Sequence, residues 1–170
     1  MRRRFLAILL LTFCIPACGY HVAGTRGRSA LEGVGSLAIP IFKNDTRKPG
    51  IEAVIASAMA DEFINVIAME TAGAAGAVME GRVGVYELTP VAYSADEVLT
   101  EYRLTVVMSI RLVRRSDGKV LWQDLNMRDY EDFAVNTSSV MATKDAEAIA
   151  LGKIANDAAR LVRERVLEGF

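Results

Sequence analysis

Thr100-Glu101-Tyr102-Arg103-Leu104-Thr105-Val106-Val107-Met108-Ser109-Ile110-Arg111-Leu112-Val113 leads into Arg114-Arg115-Ser116-Asp117-Gly118-Lys119 and then Val120-Leu121-Trp122-Gln123-Asp124-Leu125-Asn126-Met127. Successive side chains of a strand point to opposite faces. Tyr102, Leu104, Val106, Met108, Ile110 and Leu112 therefore share one face, and Arg103, Thr105, Val107, Ser109, Arg111 and Val113 the other. The strand reads from about Leu99 to Arg115, on the order of 50 Å at ~3.3 Å per residue. Asp117-Gly118 signals a two-residue hairpin turn. That turn sets Arg111 opposite Asp124, Arg103 opposite Asp132, Ile110 opposite Leu125 and Met108 opposite Met127. Charge meets opposite charge and apolar meets apolar, so a partner strand is expected over Lys119–Phe133. In this register Trp122 lies on the Arg111 face, away from Ile110. If helices cover the Ile110 face, Trp122 is exposed and becomes a partner-contact candidate, with Arg128 as a second.

Upstream of the hairpin, Ala77 to about Pro90 shows the same period of two, with Val83 and Val85 alternating against Arg82 and Glu87. Ile51 to about Met69 changes to helical spacing: Ile51, Val54, Ile55, Ala58, Met59 and Val66 form a stripe interrupted by Glu62. A first strand is expected over Ser36–Phe42. Pro40 cannot donate a ladder hydrogen bond, so this strand belongs at an edge or ends in a bulge. Downstream, Thr143 is the expected cap of a helix from Lys144 to about Leu167, with Asp145 and Glu147 in its first turn. Alanines in its apolar stripe allow close approach to a sheet. The order β-α-β-β-β-α gives an α/β fold: a two-layer sandwich with two helices packed on one face of a four-stranded mixed sheet.

The N-terminus carries a different message. Arg2, Arg3 and Arg4 precede a short apolar run, Phe5 to Phe13, too short to span a bilayer. Ile15-Pro16-Ala17-Cys18 resembles a lipobox, so residues 1–17 are expected to be a lipoprotein signal peptide and Cys18 the lipidated residue. Cys14 would leave with the signal, so no thiol would remain free in an oxidising compartment. Two or more acyl chains suffice for stable anchoring. Gly19, rather than aspartate, follows the cysteine and points to the outer membrane, with the protein on its periplasmic side. Residues 18–35, rich in glycine, read as a lipidated flexible tether, and 36–170 as a single domain.

Three of the 20 Lys+Arg residues belong to the signal, which leaves 17 basic against 21 acidic side chains, a sum of −4. Such a domain is a poor generic polyanion binder, which argues against nucleic acid. Catalytic patterns are missing: His21 is the lone histidine, and no P-loop, Gly-x-Ser-x-Gly or Cys/His metal spacing occurs. The expectation is a non-enzyme without cofactor or metal. One basic cluster stands out: Arg114, Arg115 and Lys119 surround a single Asp117 at the hairpin tip. Arginine grips phosphate bidentately, so the tip is a candidate anion contact. The alternative is that these charges keep an exposed hairpin from pairing with other chains.

Cys18-Gly19-Tyr20-His21-Val22-Ala23-Gly24 resembles the start of mature LPS-assembly lipoproteins of the LptE family. So do Leu37 to Thr46, Pro49-Gly50-Ile51-Glu52, Tyr86 to Tyr93, Thr100 to Val106 and Gly118-Lys119-Val120-Leu121-Trp122, in that order. The resemblance implies two helices on a four-stranded sheet. It also implies a plug inside the LPS-translocation β-barrel, LptD, which helps assemble that barrel and insert lipopolysaccharide into the outer leaflet. On that basis the tip residues Arg114, Arg115 and Lys119 become lipopolysaccharide-contact candidates. Ala38 to Asn44 and the following helix also resemble anticodon-binding-like domains of curli-secretion and peptidoglycan-synthase-activator lipoproteins. A lipid-anchored enzyme is the remaining alternative.

Overall fold

The computed structural model describes residues 29–169. Its elements are β1 (Ser36–Ala38), β2 (Lys43–Asn44), α1 (Ile51–Phe63), β3 (Ala68–Met69), β4 (Ala77–Tyr93), β5 (Leu99–Arg114), β6 (Val120–Ala134) and α2 (Val140–Glu168). The sheet runs β3-β1-β4-β5-β6, with β2 also on β4. β1, β2 and β3 pair in parallel, and β4, β5 and β6 form an antiparallel meander, so the sheet is mixed. Both helices lie on the face that carries Met79, Val83, Leu104, Val106, Met108, Ile110 and Leu112, each almost fully buried. Ile51, Ile55, Met59 and Phe63 of α1 and Ile154, Ala155, Ala158, Ala159 and Val162 of α2 close that core. The two-layer α/β sandwich expected from the sequence is present.

Strand number differs for identifiable reasons. The first strand is split: β1 leaves β4 after Ala38↔Val78 and β2 rejoins at Lys43↔Arg82, a bulge of one residue around Pro40. The bulge turns Phe42 inward, where its ring lies over Gly81, and leaves Ile41 exposed. The first helix ends at Phe63 instead of Met69, and Ala68–Met69 becomes β3 alongside Ser36 and Leu37. Phe63-Ile64-Asn65-Val66-Ile67 is mostly β-branched or aromatic, a composition that loses side-chain freedom in a helix. Val54 and Val66, expected on the buried stripe, are exposed, because the stripe follows Ile51, Ile55, Met59 and Phe63 instead. Glu62, the polar interruption, bonds Arg163 of α2 at 2.9 Å and ties the helices together.

α2 begins one turn earlier than expected. Ser139, extended at φ −148°, is the cap and its hydroxyl accepts the Ala142 amide at 3.2 Å. Thr143 sits inside the first turn and accepts the Asn136 amide through Oγ1 at 2.9 Å. Asp145 and Glu147 therefore lie beyond the first turn. Residues 29–35, expected to belong to a flexible tether, are docked on the domain. The Ala30 amide bonds the Val166 carbonyl at 2.8 Å, and Leu31 and Val34 pack on the core.

The β5–β6 hairpin departs most instructively. Its loop is four residues, Arg115 to Gly118, not two. The Arg114 amide bonds the Lys119 carbonyl at 2.9 Å, the Gly118 amide bonds the Arg114 carbonyl at 3.0 Å, and Gly118 is left-handed at φ 69°. This starts the ladder two residues out of the expected register. Two bulges, between Leu112 and Val113 and between Met108 and Ile110, restore it. Arg103↔Asp132 and Met108↔Met127 therefore hold as expected, while Arg111 faces Gln123 and Ile110 faces Asp124. Asp124 bonds Arg165 of α2 at 2.6 Å instead of Arg111. Leu125, expected opposite Ile110, is 62 % exposed. Trp122 pairs with Leu112 and is only 9 % exposed, so its expected place on the open face is corrected.

Candidate functional site

The hairpin tip is held by its own backbone and by a neighbouring loop. One Asp117 carboxylate oxygen accepts the Lys119 amide at 3.1 Å and the other accepts Arg114 Nη1 at 3.3 Å. The Lys119 amide, with Arg114, keeps that carboxyl below its ordinary range despite some desolvation. Arg115 donates its backbone amide to Gly76 at 3.0 Å and its guanidinium to the Ala72 carbonyl. A carbonyl satisfies donors but cancels no charge. Among the described residues Lys119 holds no ion pair. The tip thus carries one neutralised arginine, one arginine on a neutral acceptor and one lysine facing water. It is braced against residues 71–76 through Arg115.

On the open face of the sheet, Arg103 makes two 2.8 Å bonds to Asp132 and stacks 4.3 Å from the centre of the Tyr130 ring. Arg128 is exposed on β6, opposite Val107 of β5. Cys18 and His21 lie outside the described residues. Among the described residues no group of three or more His, Cys, Asp or Glu is placed to hold a metal, and no helix is long and apolar enough to cross a membrane.

A polar cluster that the sequence did not signal joins three elements. Glu147 of α2, 9 % exposed, accepts from Lys48 Nζ at 2.8 Å and from the Tyr86 hydroxyl at 2.5 Å. Lys48 also lies 5.7 Å from the Tyr86 ring centre. Its loop is organised by Asn44, whose Nδ2 donates to the Lys48 carbonyl and to Glu52 Oε2, each at 2.7 Å. Burial alone would raise the Glu147 carboxyl, but the Lys48 and Tyr86 hydrogen bonds more than offset it and hold it below the ordinary glutamate range. Burial, and then Glu147 itself, push the Tyr86 hydroxyl up.

A group with a lowered folded pKa contributes stability above its unfolded value and loses it as pH falls through the folded one. Glu147 should therefore contribute fully above about pH 4.5 and progressively less in acid. Glu147→Gln is expected to cost about 1–2 kcal/mol near neutral pH, with Lys48 half-exposed. Urea unfolding at about pH 7 and about pH 3.5 checks the sign. The variant should lose less stability on acidification than the parent, and an equal loss in both would refute the assignment.

The fold recurs in known proteins. The uncharacterized lipoprotein B of Nitrosomonas europaea superposes with a TM-score of 0.57 at 12% identity, covering 84% of this chain and 88% of that one. A putative lipoprotein from Caulobacter crescentus superposes with a TM-score of 0.54 at 10% identity, covering 74% and 87%. At such identities the likeness speaks for the fold alone. A search of curated proteins finds no match. The family described as LptE, lipopolysaccharide-assembly, matches residues 34–166, from the docked N-terminal segment to the last turns of α2. The chain therefore belongs to the LptE family of lipopolysaccharide-assembly lipoproteins.

Proposed function

We propose that this lipoprotein is anchored through acylated Cys18 on the periplasmic side of the outer membrane, plugs an LptD-like β-barrel, and assists that barrel in placing lipopolysaccharide in the outer leaflet. The observation that carries the reading is the family match across nearly all of the folded domain. The character of the surface supports it. Barrel lumens are polar, and the open face offers Arg103, Asp132 and Arg128, charges of both signs. In this role the protein is a structural and binding partner without covalent chemistry. Arg128 belongs to the surface offered to the barrel. Trp122 contributes by packing, because its side chain is covered.

Depletion of the protein is expected to leave the barrel misassembled and cells permeable to large antibiotics. Normal barrel assembly after complete depletion would sink the proposed role. Mass spectrometry of the mature N-terminus is the matching test of the anchor, with an unmodified start at another residue as the adverse result.

In the same reading, Arg114, Arg115 and Lys119 touch phosphate or core sugars of lipopolysaccharide. Exposed charge contacts are individually modest, about 1 kcal/mol or less, and screened by salt. Reversing all three to Glu should weaken lipopolysaccharide binding strongly, and single changes should do little. Because Arg115 also braces the 71–76 loop, the triple variant must first show an unchanged unfolding midpoint. Unchanged binding at low salt by the folded triple variant would leave the tip with a solubility role only.

A further inference from the structure

The bulge at Pro40 does more than split a strand. Where β1 lifts from β4 and β2 returns, a groove of about 460 Å³ opens on the face of the sheet that the helices leave bare. Volumes of this order are typical of small-ligand sites. The register explains its lining. Lys43 of β2 pairs with Arg82 of β4, and Arg82 pairs with Ser109 of β5, so these three side chains stand in one row. Glu80 and Arg111 face each other in the adjacent row. Ile41, 70 % exposed, forms an apolar lip.

Three cations and one carboxylate therefore line the groove. Arg82 is fixed by Asp45 at 2.5 Å. Lys43 and Arg111 hold no ion pair within 4.0 Å among the described residues, although Glu80 lies across the strand from Arg111. Even with Asp45 counted, cations exceed carboxylates by one, in a mature chain whose side chains sum to −4. The Ser109 hydroxyl adds a neutral donor. A compact dianion meets these needs: it receives the Lys43 ammonium as a point charge and the planar Arg111 fork together. Its non-ionic remainder rests on Ile41.

We infer that this groove binds a phosphate monoester, a group carrying about −1.5 to −2 charges at neutral pH. Free phosphate, a sugar phosphate and the headgroup of a phosphorylated lipid share that chemistry. The inference goes beyond the hairpin-tip contact and uses none of its residues. Strand mounting fixes where Lys43, Arg82 and Arg111 leave the backbone, and the long exposed side chains of Lys43 and Arg111 are free to close on the ligand.

The test uses the folded mature protein, isotope-labelled and titrated at low salt with inorganic phosphate, N-acetylglucosamine 1-phosphate and phosphatidylcholine vesicles containing phosphatidic acid. Saturable shifts centred on the amides of Lys43, Arg82, Ser109 and Arg111 are expected. The probe that binds tightest identifies the source. The double change Lys43→Ala with Arg111→Ala should weaken binding about tenfold or more, since two charge-assisted contacts are lost. Both side chains are exposed, so the fold should survive, and the spectrum of the variant verifies this. Phosphate binding retained by the double variant overturns the inference. So does an absence of shifts with all three probes, or a loss of binding only in the triple Glu tip variant. The outcome is separable from the proposed role, because depletion in cells reads barrel assembly and the titration reads only the groove.

Discussion

Trp122→Ala is expected to destabilise the domain by about 3–5 kcal/mol, the cost of deleting a large buried aromatic side chain. The indole is 9 % exposed and belongs to the core cluster that includes Leu112, its cross-strand partner, and Met127. Had the two-residue turn set the register throughout, Trp122 would stand on the open face, where substitutions usually cost within about 0.5 kcal/mol. Leu125 provides the internal control. It is 62 % exposed, so Leu125→Ala should be almost silent, whereas the unbulged register would bury it opposite Ile110. Denaturant unfolding of the two variants separates these arrangements by several kcal/mol. A nearly neutral Trp122→Ala beside a costly Leu125→Ala would overturn the bulged register. Trp122 is also the single tryptophan, so its emission in the parent reports the same burial without mutation.

Gly81→Ala is the second large effect, and a single methyl group should produce it. A Cβ built on Gly81 would stand 2.2 Å from Phe42 Cδ2 and 2.3 Å from Cγ. No such separation survives, so the ring must move, yet Phe42 is 4 % exposed and packed in the core. Forcing an extra carbon into a filled core typically costs about 1–3 kcal/mol. The cause is testable by a double-mutant cycle. Phe42→Ala alone should cost about 3–5 kcal/mol. In that background Gly81→Ala should cost close to nothing, because the clash partner is gone. Additive losses would place the cost of Gly81→Ala in the backbone and not in contact with Phe42. The same contact shapes the groove, since the inward turn of Phe42 and the outward turn of Ile41 are two consequences of one bulge.

Fold class was legible along the chain, because hydrophobic periodicity is a local property. The alternation from Tyr102 to Leu112 could be read as a strand with one apolar face, and that face is buried from Leu104 to Leu112. Pro40 announced a break in the first strand, since the missing amide is a covalent fact. The Arg103–Asp132 pair came out as expected because the two bulges together cancel the two-residue offset of the longer loop. The ordered resemblance in short motifs carried the family assignment, which the match over residues 34–166 establishes. The remaining features depend on contacts between segments distant in sequence. The loop at Asp117-Gly118 admits either two or four residues. Packing of Trp122 and Leu112 beneath the helices goes with the longer loop and the two compensating bulges. β3 exists because Ser36 and Leu37 offer a free edge to Ala68 and Met69. Glu147 looked like an ordinary acid near the start of a helix. Only the fold brings Lys48, 99 residues away in sequence, within 2.8 Å of it. The groove has the same origin: Lys43, Arg82 and Arg111 are unremarkable one by one, and the parallel return of β2 beside β4 is what sets their charges together.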